Sequence, residues 1–163
     1  MNKELKNYAY IDNTNLYKGC EAEGFKIDYI KFRKYLTERL GVKTAYIFIG
    51  FVAGNEEMYT RFQEWGYTLV FKPTIPGENG QIKGNCDAEL VLQATCDFFE
   101  KRCERAVIVT SDGDFACLVK FLMRNSALKI ILSPRGKEKC SGLLTKLGSS
   151  LTFLPEVRNL IKF

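Results

Sequence analysis

The sequence predicts an α/β fold in three layers, with a central parallel sheet covered by helices on both faces. Three observations point there. Short apolar runs alternate along the chain with segments of helical periodicity. Those runs lack a polar face, as strands buried from both sides do. Hydrophobic residues fill 46% of the 163 positions and charged residues 26%, enough apolar material for a real core and too much for a disordered or fibrous chain. With no repeat, linker or low-complexity stretch, residues 1–163 are expected to form one domain.

Tyr8-Ala9-Tyr10-Ile11 reads as a first strand, cut off by Asp12-Asn13-Thr14-Asn15, four turn formers that read as a loop. Asp28 is placed to cap a helix that runs to Leu40, where Gly41 stops it. Thr44 to Ile49 follows as a buried strand. Asn55 then precedes a helix carrying Met58, Tyr59, Phe62 and Trp65, ended by Gly66. Tyr67 to Phe71 forms a third strand, closed by Pro73, and residues 74–84 read as a polar, glycine-rich loop. A long helix is expected from Cys86 to Lys101, with Leu90, Val91, Ala94 and Phe98 at helical spacing. Ala106 to Val109 is a continuous apolar strand that ends in Thr110-Ser111-Asp112-Gly113-Asp114. Phe115–Arg124 reads as a helix, Leu128–Leu132 as a strand, Glu138–Leu147 as a helix and Leu151–Leu154 as a last strand.

The chain has no histidine. That excludes imidazole general bases, Ser-His-Asp and Cys-His nucleophile pairs, and His-ligated zinc or haem. The six cysteines contain no Cys-x-x-Cys pair and match no zinc spacing, so they read as reduced, mostly buried small hydrophobes. Cys96 and Cys103, seven apart, are expected on one helix face. Met1 runs into polar Asn2-Lys3-Glu4, so no secretory leader and no membrane association are expected, and the reading is cytoplasmic. The net charge of +5 is uneven. Residues 129–163 hold Lys129, Arg135, Lys137, Lys139, Lys146, Arg158 and Lys162 against Glu138 and Glu156. Such an excess is either a solvated face or an attraction for a polyanion.

In an open α/β sheet, ligands bind beyond the carboxyl ends of the strands, where strand order reverses. The first strand ends at Asp12 and the fourth runs into Asp112 and Asp114. Were these strands neighbours, three carboxylates would share one crevice, with Asp87 in the first turn of the long helix as a fourth. Clustered carboxylates repel one another unless a cation neutralises them. Oxygen ligands favour Mg²⁺ or Mn²⁺, ions that hold phosphate oxygens and acidify water for phosphoryl transfer without histidine.

Three segments then resemble one family in order. Ile11-Asp12-Asn13-Thr14-Asn15-Leu16 is similar to the opening motif of NYN domains, the PIN-like nucleases. Lys83-Gly84-Asn85-Cys86-Asp87 resembles their central helix start, and Val109-Thr110-Ser111-Asp112-Gly113-Asp114-Phe115 their acidic strand end. The resemblance implies a Rossmann-like, PIN-like sheet of order 3-2-1-4-5 and divalent-metal-dependent, endonucleolytic hydrolysis of RNA in single-stranded or loop regions. It implies Asp12, Asp87, Asp112 and Asp114 as the catalytic, metal-binding set. Asn13, Asn15, Lys83 and Ser111 would form the substrate side: Asn15 positions the first loop or the phosphate, Ser111 orients the acidic turn, and Lys83 contacts phosphate. Glu89, two residues past Asp87, turns about 200° away on a helix. Tyr17, Phe25 and Tyr29 flank the first loop, placed for base stacking or core packing. Two alternatives stand beside this reading. One is a non-catalytic RNA-binding module. The other is a haloacid-dehalogenase-type phosphatase, against which Thr14 counts, because that chemistry needs an acid there.

Overall fold

The core strands divide their side chains between two faces with a period of two. On β1 (Asn7–Asp12), Ala9 and Ile11 enter one apolar cluster and Tyr10 the opposite one. On β6 (Arg105–Val109), Val107 and Val109 face the first cluster, Ala106 and Ile108 the second. This double burial is what the missing polar face required. The computed structural model describes residues 6–77, 82–83 and 85–163. With β1 and β6, the strands β2 (Val42–Phe51), β3 (Tyr67–Pro73), β7 (Leu128–Ser133) and β8 (Leu151–Phe153) form the main sheet. Its six strands are all parallel, in the order β3-β2-β1-β6-β7-β8. The first five expected strands keep the order 3-2-1-4-5 and the last expected strand joins at the edge, giving a Rossmann-like three-layer fold.

One layer consists of α1 (Asn13–Ala22), α2 (Tyr29–Leu40) and α3 (Glu56–Glu64), which place Leu16, Cys20, Phe32, Leu36 and Phe62 in the first cluster. The other layer holds α4 (Asp87–Phe99) and α5 (Ala116–Arg124), which bury Leu90, Ala94, Leu118 and Leu122. Asp28 caps α2 by accepting the N–H groups of Ile30 and Lys31, both at 3.0 Å. Gly41, at φ +63°, closes it in the left-handed conformation that a side chain resists. Asp97 on α4 is fully buried, yet satisfied: it accepts the Tyr10 hydroxyl at 2.8 Å and Gln93 at 3.0 Å, and pairs with Arg102 at 2.9 Å.

Four expectations change. Residues Asp12 to Asn15 are a capped helix start rather than a loop: Asp12 accepts the Asn15 N–H, and α1 follows at once. Within residues 74–84, β4 (Ile75–Pro76) pairs antiparallel with β5 (Ile82–Lys83). The helix expected over 138–147 shrinks to α6 (Gly142–Thr145), because the Ser141 N–H donates to the Ser111 carbonyl and its hydroxyl caps the short helix. Cys103 lies beyond the end of α4, so it shares no helix face with Cys96. All six cysteines are free; Cys20, Cys103 and Cys140 are buried, and Cys117 is exposed. A final helix, α7 (Arg158–Ile161), docks Ile161 into the first cluster.

Candidate metal centre and its crevice

Strand order reverses between β1 and β6, where Ile11 pairs with Val109. One residue further on, Asp12 and Thr110 emerge side by side. The Thr110 hydroxyl donates to Asp12 Oδ2 at 3.4 Å and accepts the Asp112 N–H at 3.1 Å. One hydroxyl therefore links the two acidic strand ends. Asn15 makes a second link: its Oδ1 accepts both the N–H and the hydroxyl of Ser111, each at 2.9 Å. Asp112 in turn caps a 3₁₀ turn (Gly113–Phe115) by accepting the Asp114 N–H at 2.9 Å. From the opposite wall, Asn85 fixes Asp87 twice, accepting its N–H at 2.7 Å and donating to its Oδ2 at 3.2 Å.

The result is a crevice of about 500 Å³, lined among others by Asp12, Asn15, Asp87, Ser111 and Asp112. Carboxylate oxygens of Asp87, Asp112 and Asp114 lie within 4.8 Å of one another. Asp12 stands one step deeper, in the crevice but outside that triplet. Burial pushes its carboxyl up to about 6; the Asn15 N–H opposes this, Asp87 and Asp112 add repulsion, and the Thr110 hydroxyl opposes again. Burial also raises Asp87, opposed by Asn85 and reinforced by Asp112 and Asp114. The donor set is all oxygen and spaced for a hard cation that keeps several waters, and positive charge there would relieve the repulsion. The residues fit a divalent cation that takes oxygen ligands.

The remaining predicted site residues divide. Asn15 and Ser111 belong to the crevice as hydrogen-bonded supports. Asn13 points elsewhere: it is 4% exposed and accepts the Tyr29 hydroxyl at 2.7 Å. The side chain of Lys83 and all of Gly84 lie outside the described residues. Glu89 faces Lys72 at 3.7 Å, away from the triplet. Of the flanking aromatics, Phe25 is core, Tyr29 packs its ring on Phe62, and Tyr17 is 37% exposed.

Sequence reasoning missed part of the wall. Thr14, Lys18 and Gly19 line the crevice beside Asn15, a helical face that becomes visible once α1 is known to start at Asn13. Arg135 and Lys139 line it too, which locates two members of the C-terminal basic excess. A close approach brings them in: a Cβ at Gly19 would stand 2.6 Å from Pro134 Cβ. Glu23, just past α1, clamps the same loop by accepting Arg135 Nε–H at 3.2 Å and the Gly136 N–H at 2.9 Å.

Among solved structures, the chain is similar to the crystal structure of a protein of unknown function from Vibrio parahaemolyticus RIMD 2210633. The two share 21% identity over 94% of this chain and 96% of that one, with a TM-score of 0.76, which supports the fold. Comparison with curated proteins finds no match. No helix among the described residues is long and apolar enough to cross a membrane. Residues 8–146 match the family model of the NYN domain. This span takes in both acidic strand ends, Asp87 and the two side chains that tie them together, and the chain belongs to the NYN domain family.

Proposed function

We propose that this chain is a divalent-metal-dependent endoribonuclease acting on single-stranded or loop RNA. The single observation that carries the reading is the convergence of Asp87, Asp112 and Asp114 within 4.8 Å, beside half-buried Asp12 and facing cationic side chains. Asp87, Asp112 and Asp114 would hold Mg²⁺ or Mn²⁺, which when bound would supply positive charge beside the phosphodiester oxygens and lower the pKa of water for hydrolysis. Asp12, raised toward neutrality, holds or releases a proton at its carboxyl and is drawn to the ionised form as positive charge arrives. Asn15 and Thr110 lock the two acidic strand ends in register, so the oxygens need little reorganisation. Lys18, Arg135 and Lys139 hold backbone phosphates across from the aspartates, with Lys83 as a further phosphate contact. RNA as substrate rests on the family. The free cysteines support a reducing, cytoplasmic setting, and residues 1–163 act as one domain.

The test is incubation of purified protein with labelled RNA and DNA in Mg²⁺, in Mn²⁺ and in EDTA, beside Asp112→Asn. We expect internal cleavage of RNA that needs metal and is lost in the variant, whose amide oxygen still accepts the Asp114 N–H. Cleavage in EDTA, or full activity of the variant, defeats the proposal. Tight RNA binding without cleavage in any metal returns the protein to a binding module.

A further inference from the structure

A second cavity opens next to the acidic crevice. It measures about 570 Å³, within the range of small-molecule clefts, and shares Thr14 and Lys18 with the crevice. One wall is α1, with Tyr17 on its exposed side. The other comes from the end of β2, which runs past the last β1 pair at Asp12 and Phe48 and contributes Ile49 and Gly50, followed by Val52. Met58 and Phe62 of α3 close the floor. The body is thus apolar and aromatic, and Asn55 sets an exposed amide along its margin; Asn13 and Thr74 also line it, but the Asn13 oxygen already accepts the Tyr29 hydroxyl and the Thr74 hydroxyl donates to the Phe51 carbonyl.

Asn55 is the informative one. It occupies the cap position of α3, where an asparagine ordinarily accepts a helix N–H, yet its side chain makes no capping bond. Its neighbour Glu56 instead turns back to accept the Gly54 N–H at 3.1 Å. The amide of Asn55 is therefore exposed at the groove with both donor and acceptor to offer.

We infer that this groove seats one unpaired nucleobase of the strand whose backbone crosses the acidic crevice. The inference deepens the nuclease reading and takes the course of the strand from it. A flat, exposed tyrosine supplies a stacking face, the apolar floor takes the buried ring, and the polar margin meets the base edge. Lys18, common to both cavities, reaches the phosphate that joins the seated nucleotide to its neighbour. A duplex offers no splayed base, so the groove selects single-stranded or loop segments.

The experiment is fluorescence anisotropy in EDTA and low salt, so that nothing is cut. The probes are a labelled RNA octamer and an abasic ribose–phosphate octamer of equal length. Wild type is expected to prefer the intact octamer by roughly tenfold or more, the scale of one stacked base. Tyr17→Ala brings that preference close to unity and Tyr17→Phe keeps it; Tyr17 is surface-exposed, so both variants fold. Equal affinity of wild type for the two octamers, or an undiminished preference in Tyr17→Ala, overturns the proposal. Metal-dependent cleavage measured separately tells the two readings apart. Base preference without cleavage sinks the nuclease alone; cleavage without base preference sinks the groove alone.

Discussion

Replacing Asp12 with asparagine should make the metal-free protein more stable at alkaline pH while removing a carboxylate from the acidic crevice. Burial holds the Asp12 carboxyl up at about 6, against an ordinary value of 3.8. A raised pKa means that the folded chain binds this proton more tightly than the unfolded chain. Stability therefore falls as pH rises between about 4 and 6, and the full penalty stands above that window. Two units correspond to ~3 kcal/mol. Asparagine keeps an oxygen for the Asn15 N–H but disturbs the Thr110 bond to Oδ2, which costs about 1 kcal/mol. The net gain at pH 8 is ~2 kcal/mol, or roughly 4–8 °C in Tm for a chain of this size. Thermal unfolding in EDTA at pH 8 and pH 4.5 checks it. The variant should melt higher at pH 8, and the gap should shrink by about 2 kcal/mol at pH 4.5. Manganese should reverse the order by stabilising wild type more. A variant that melts at or below wild type at pH 8, or a gap indifferent to pH, refutes the electrostatic reasoning.

Mn²⁺ at about 100 times its Kd should stabilise wild type by ~2.7 kcal/mol, reversed by EDTA, and Asp112→Asn should lose most of that gain; calorimetry reads both. Asn15→Ala orphans the Ser111 N–H and hydroxyl, which should cost ~1–3 kcal/mol in denaturant titration and lower cleavage by letting the acidic turn drift. Gly19→Ala drives a methyl into Pro134 Cβ at 2.6 Å, a rigid neighbour. It should cost ~1–3 kcal/mol and weaken RNA binding, measured by anisotropy, because Arg135 follows Pro134.

The sheet was legible because its central strands are buried on both faces and read as apolar runs at Ala106–Val109 and Thr44–Ile49. The first helix was not. Its opening residues Asp12 to Asn15 favour turns by local chemistry, and what makes them helical is tertiary: Leu16 and Cys20, four apart, sink fully into the core. Missing α1 hid Lys18, whose place on the crevice follows from that helix's phase. The acidic residues were legible as strand ends and a helix start. Asp12 lies deeper than Asp87, Asp112 and Asp114, a difference set by burial that spacing along a chain does not encode. The basic excess was legible as charge, but its position depends on Gly19 against Pro134 and Glu23 against Arg135, contacts between segments over 100 residues apart.

The Asp12 carboxylate accepts a helix N–H and faces the crevice at the same time. Asparagine and serine cap helices about as well as aspartate does. On the proposed nuclease reading, a lineage shedding hydrolysis has an undemanding exit at this position: one substitution removes the charge and leaves the scaffold standing. Descendants that keep this architecture for binding alone should carry such a neutral cap here, rather than the wreckage of a collapsed first helix.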